Sequence, residues 1–130
     1  MNRKTLFAPI SYMLFIFILS SIPAHGHKLG GFIYINSEAQ NILHIPLFGL
    51  LTLLWIRAFN GNKMAVKKTI NYAALITLLY AAFDEFHQYF VPGRYASISD
   101  FGLDAIGCFA ALCIFIVINL RNTHNAIRDT

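Results

Sequence analysis

At 130 residues the chain has room for one domain and no second. It is 57% hydrophobic and 12% charged, against roughly 25% charged in ordinary soluble domains, so a soluble globule of this size would leave much of its Leu, Ile and Phe in water. The formal charge of +4 is spread between apolar runs rather than gathered in one patch, which argues against nucleic-acid binding and fits a membrane chain.

Four apolar runs are long enough to cross a bilayer, and each reads as a helix. The first covers about residues 6–22, behind Arg3 and Lys4 and ahead of Pro23. It resembles a signal peptide in outline, but "SSIPAHGH" offers no small-x-small cleavage site, so it is expected to stay as a helix. Gly26, Gly30 and Gly31 break the connection to the second run, about residues 41–59. "NGNK" at 60–63 makes a tight polar turn into the third, about residues 70–90. Pro92-Gly93 breaks the third connection, and Ser97 or Ser99 can cap the fourth run, about residues 101–120. Cys108 and Cys113 both lie in this last run, and a spacing of five puts them on different faces of a helix, unable to pair. The expectation is an all-α, polytopic four-helix bundle spanning residues 1–130.

Charge orients that bundle. With the N-terminus cytoplasmic, Arg3, Lys4, Arg57, Lys63, Lys67, Lys68, Arg121 and Arg128 fall inside, and Lys28 and Arg94 outside. Eight against two is a positive-inside pattern for an N-in, C-in chain. The acids reverse it: Glu38, Asp84, Glu85, Asp100 and Asp104 lie toward the outer side and Asp129 inside.

The stretch "DEFHQYFVPGRYASISD" therefore sits at the outer face, where ionisable groups at membrane depth are costly and hint at function. Helical spacing places Asp84, His87 and Gln88 on one stripe, with Glu85 roughly 100° round from Asp84. Asp100 and Asp104 are four apart at the start of the fourth helix, Gly107 continues their stripe, and His44 lies one turn into the second. Singly, each has a structural reading: an interfacial acid, a helix cap, a headgroup anchor, or polar glue between helices. Together they read as one shared site, the competing explanation being a salt-bridge cluster between Arg94 and the acids. Arg94 is expected to be held by Asp84, Glu85 or Asp100. The tyrosines, Gly49 and the alanines of "YAAF" and "FAAL" read as interface rings and close helix packing.

"DEFHQYFVPGRYASISDFGLDAIG" resembles the signature of the VanZ-like membrane proteins: D-E-x-x-Q, a P-G-R loop, then S-x-x-D and a helix reaching glycine. The likeness extends to "NILHIPLFGLL", where His44 fits the family's histidine, and to "SSIP" at 20–23. It implies a small four-helix protein of the bacterial cytoplasmic membrane, associated with lowered sensitivity to teicoplanin-type glycopeptides. Carried onto this chain, it points to His44, Asp84, Glu85, Gln88, Arg94, Ser97 and Asp100. The chain departs from the pattern at Gln40-Asn41, where many relatives have Asp-Lys, at Phe48 in place of Tyr, and at Asp104 in place of Asn. Its outer site is more acidic than the family's.

Three functions compete. A binding protein would hold the headgroup of an envelope lipid or lipid-linked precursor, with Arg94 on phosphate or carboxylate and Gln88, His87 and the acids on sugar or peptide groups. An enzyme modifying such a lipid would use His44, His87, Asp84, Glu85, Asp100 and Asp104 for acid–base or metal-assisted chemistry. The D-x-x-H spacing with acids on the next helix can hold a divalent cation, though it matches no closed metal motif. Transport ranks last, because the inner halves of the runs carry almost no ionisable residue.

Overall fold

A computed structural model describes residues 3–23 and 37–128, and the glycines expected to break the first connection lie outside them. The described residues form four helices and no strand: α1 (Arg3–Ser20), α2 (Ser37–Gly61), α3 (Val66–Gln88) and α4 (Ile98–Arg128). Each begins earlier than its apolar run, because the flanking polar residues are compatible with helix. α4 also runs eight residues past Leu120, as "RNTHNAIR" holds neither Gly nor Pro to stop it. Pro9 lies buried inside α1 and Pro46 exposed on α2, and each removes a backbone donor from its helix.

The two short connections have specific geometry. After α2, Lys63 takes a left-handed φ of 56°, and the Met64 and Asn62 amides donate to Phe59 O at 3.2 and 3.0 Å, closing the exposed helix end. After α3, the Arg94 amide donates to Val91 O at 3.0 Å across Pro92 and Gly93, with Gly93 at φ 79°. Pro at the second position and a positive-φ Gly at the third make this a type II turn. It throws the Arg94 side chain back toward α1. At α4 the expected serine side-chain cap does not form. Ser97 Oγ pairs with Ser99 Oγ at 2.5 Å, and the Asp100 and Phe101 amides donate to the Ser97 carbonyl.

α2 packs against all three other helices, most extensively against α4, while α1 and α4 do not meet among the described residues. The α2–α4 crossing is tight because of two glycines. A Cβ on Gly107 would overlap the Ile45 carbonyl oxygen and stand 3.0 Å from Gly49 N; one on Gly49 would stand 3.2 Å from Gly107 O. Phe48, Leu51, Phe59, Ala73, Ala81 and Cys108 fill the core beside that crossing. Cys113 is exposed on the other side of α4 from buried Cys108, as their spacing requires.

Polar links hold the helices deeper down. Tyr80 donates to Met13 O at 2.5 Å, tying α3 to α1, so this tyrosine is a buried crosslink rather than an interface ring. Thr52 and Thr77 meet at 3.2 Å between α2 and α3. Outside, Ile10, Leu14, Leu79, Phe86, Ile106, Phe109 and Ile114 are exposed around the bundle. Among the described residues, two segments, Ile42–Gly61 and Ile98–Arg128, are long and apolar enough to cross a membrane.

Candidate functional site

One wedge of α3 faces inward at its C-terminal end. At roughly 100° per residue, Asp84, Gln88 and Glu85 fall at about 0°, 40° and 100°, and His87 at about −60°. The first three are buried and point between α2 and α4. His87 points the other way, against α1, its ring 4.3 Å from the Phe17 ring centroid and its Nε2 2.9 Å from Ser21 Oγ. The expected Asp84–His87 stripe is therefore split, and the D-x-x-H pair does not converge on one point.

His44 supplies the imidazole instead. Its Nδ1 lies 2.8 Å from Asp104 Oδ1, a buried hydrogen bond from α2 to α4. The glycine crossing explains it: Ile45, next to His44, packs on Gly107, one turn beyond Asp104. Phe48 stacks parallel to the His44 ring one turn below. Around this pair stand Glu85, Asp84 and Asp100. Charge interactions connect His44 with Asp104, Asp100 and Glu85, and Asp104 with Asp84 and Asp100.

Partners are few for so much polarity. Gln88 Nε2 donates to Asp84 Oδ2 at 2.8 Å, and the Ser97 amide donates to Glu85 Oε2 at 2.7 Å. Ser97 thus enters the site through its backbone. Asp84, Glu85, Asp100 and Asp104 are 1%, 7%, 8% and 0% exposed, and one oxygen of each (Asp84 Oδ1, Glu85 Oε1, Asp100 Oδ1, Asp104 Oδ2) is buried with no hydrogen-bond partner among the described residues. Burying an unsatisfied polar oxygen costs about 1–3 kcal/mol, and more when charged, so four in one place form a reservoir of unmet acceptor capacity. The buried cluster has acceptor capacity left for donors.

Arg94 does not supply them. Its Nε donates to Ile22 O at 2.9 Å and one terminal nitrogen to Leu19 O at 3.4 Å. The expected pairing with Asp84, Glu85 or Asp100 is absent, because the type II turn aims the guanidinium at the C-terminal carbonyls of α1. A cation there also meets the negative end of the helix dipole. Ser21 and His87 form a hydroxyl–imidazole contact nearby, but Ser21 Oγ also lies 2.6 Å from Phe17 O. The lone hydroxyl proton goes to that shorter acceptor, leaving His87 as donor and Ser21 unactivated.

The sequence-derived residues hence separate into two groups. His44, Asp84, Glu85, Gln88, Asp100, Asp104 and the Ser97 amide share one buried cluster; His87 and Arg94 brace the end of α1. A family model described as VanZ/LLP1 matches residues 4–119. The chain belongs to the VanZ/LLP1 family. Every pocket residue falls within the matched region, and no curated protein or solved structure matches the chain. Family membership and the two long apolar helices point to a membrane protein. The Asp104 departure noted from the sequence is the direct partner of His44, a role that no spacing rule within one helix reveals.

Proposed function

We propose that this VanZ/LLP1 protein crosses the bacterial cytoplasmic membrane four times with both termini inside. Its buried acidic cluster lies toward the extracytoplasmic side and binds the headgroup of an envelope lipid or lipid-linked cell-wall precursor. The eight-to-two distribution of basic residues and the exposed apolar flanks of the helices support the topology. The observation that carries the binding reading is the set of four buried, unpartnered carboxyl oxygens contributed by α3 and α4 around His44. Sugar hydroxyls, peptide amides and ammonium groups are the donors such oxygens accept. With Arg94 spent on α1, a bare phosphate finds no buried arginine in the pocket, so recognition runs through donor groups of the headgroup. A protein that holds or masks a precursor in this way would alter sensitivity to glycopeptides that target the same molecules.

One observation favours an enzyme as the second reading. The 2.8 Å His44–Asp104 contact is a base held by an acid, the arrangement that lets an imidazole activate water. The two readings separate by experiment. Protein extracted in mild detergent is examined by native mass spectrometry, wild type beside Glu85→Gln at matched folded amounts. A binder carries a defined amphiphile that Glu85→Gln loses; an enzyme converts added envelope lipid and retains none. Identical spectra with no turnover in either protein would sink both.

A further inference from the structure

The pocket holds more than a set of hydrogen-bond acceptors. One donor atom each from His44, Glu85 and Asp104 lies within 4.8 Å of the other two, and all three residues are buried. Donors opposite each other across a first-row divalent cation stand about 4.2 Å apart, and those on a tetrahedron about 3.4 Å, given bond lengths of about 2.0–2.2 Å. Side-chain rotations of about an ångström close that difference. The three residues come from three different helices, so a ligand at their centre ties α2, α3 and α4 together.

We propose that His44, Glu85 and Asp104 hold a divalent transition-metal cation of the Zn²⁺ or Mn²⁺ class. Three features beyond the acidic cluster itself point there. First, Glu85 Oε1 and Asp104 Oδ2 are unpartnered, and both residues are more than nine-tenths buried. Second, an imidazole stands among the carboxyl groups, which selects a borderline first-row ion over the all-oxygen preference of Ca²⁺ and Mg²⁺. Third, among the described residues no lysine or arginine pairs with these carboxyl groups. The nearest arginine in sequence, Arg94, is occupied at the end of α1, and Asp84 and Asp100 add further acidity within electrostatic reach of Asp104.

A metal ion takes the neutral imidazole and ionised carboxylates, so its uptake competes with protons and weakens as the medium is acidified. The Ser97 amide on Glu85 Oε2 fixes the carboxyl plane, as an outer hydrogen bond does at established metal sites, and leaves Oε1 without a partner among the described residues. Gln88 holds Asp84 in the same fashion. The inference shares its pocket with the headgroup reading but does not depend on any lipid being bound.

The test uses the full chain without a histidine tag, purified in detergent from metal-supplemented cells. Metal is counted by inductively coupled plasma mass spectrometry, and lipid is extracted from the same sample. Stripped protein is then titrated with Mn²⁺ followed by electron paramagnetic resonance, with Zn²⁺ as competitor. The expected result is about one Zn²⁺ or Mn²⁺ per chain. Glu85→Gln and Asp104→Asn should each weaken binding by at least the roughly 10–100-fold that loss of even an outer partner costs. His124→Gln, on the exposed end of α4, should bind as wild type. Should Asp104→Asn fail to fold, Glu85→Gln and the wild-type titration decide the matter. Wild-type protein that takes up neither ion overturns the proposal, as does uptake that both pocket variants leave unchanged. Metal-free protein that retains lipid refutes the cation while leaving the headgroup reading standing; metal-loaded protein without lipid does the reverse.

Discussion

Replacing Gly107 by alanine tests whether the α2–α4 crossing builds the site. The added Cβ would overlap the Ile45 carbonyl oxygen and sit 3.0 Å from both Ile45 C and Gly49 N. A carbon meets an oxygen at about 3.3 Å or more, so the helices must part by about an ångström to clear the Ile45 carbonyl. Overpacking of this kind costs about 1–3 kcal/mol, and alanine recovers up to about 1 kcal/mol through its better helix propensity. The expected net loss is about 1–2 kcal/mol. The separation also acts directly on the 2.8 Å His44–Asp104 contact, which a shift of this size takes out of the strong range. Two other glycines calibrate the result. Gly49→Ala meets Gly107 O at 3.2 Å and should cost less, while Gly102 has nothing within 4 Å and Gly102→Ala should be neutral or mildly stabilising. The assay is reversible unfolding in mixed micelles, followed by circular dichroism, together with ligand retention. A Gly107→Ala protein as stable as Gly102→Ala, with retention intact, would show that the close crossing does not position the pocket.

Tyr80→Phe should destabilise the bundle by about 0.5–1.5 kcal/mol through loss of the bond to Met13 O, and leave the pocket's ligand in place; micellar unfolding and native mass spectrometry measure the two. Arg94→Ala should lower stability by about 1.5–3 kcal/mol by freeing the Ile22 and Leu19 carbonyls, with Arg94→Lys intermediate because it loses the Nε donor but keeps the charge. A loss of ligand retention in Arg94→Lys at unchanged stability would instead place the guanidinium on the ligand. Single cysteines at positions 63 and 93, in a chain lacking Cys108 and Cys113, should label from opposite sides of intact membranes, the first inside and the second outside; labelling from the same side would refute the four-span topology.

Much of the fold was legible because its determinants are local. Apolar runs interrupted by "NGNK" and Pro92-Gly93 delimit the helices, and both connections turn where those residues fall. Helix ends were less legible: nothing in "RNTHNAIR" stops a helix, so the end of an apolar run is not the end of α4. Among the site residues, Asp84, Glu85, Asp100 and Asp104 drew notice because buried acids are expensive, and helical phase put them on the inner faces. His87 was misplaced by a phase error. A residue three positions after Asp84 shares a face with it only loosely, and Glu85 with Gln88 moves the buried wedge away from it. Arg94 was misplaced for a different reason. Its partners are backbone carbonyls about seventy residues earlier, and carbonyls carry no sequence signature. The pairing of His44 with Asp104 likewise depends on a glycine-to-glycine crossing between separate helices, which Gly49 and Gly107 suggest only once the helices are known to be neighbours.

The most direct measurement is a crystal structure grown in a lipidic mesophase from protein never stripped of its native lipids or metals. Density that belongs to no protein atom should occupy the space between His44, Glu85 and Asp104, within about 3.2 Å of one or more of Asp84 Oδ1, Glu85 Oε1, Asp100 Oδ1 and Asp104 Oδ2. A well-ordered pocket in which the protein's own donors satisfy all four oxygens, with no ligand density, would contradict a binding site there and leave the acids as structural polar contacts between helices.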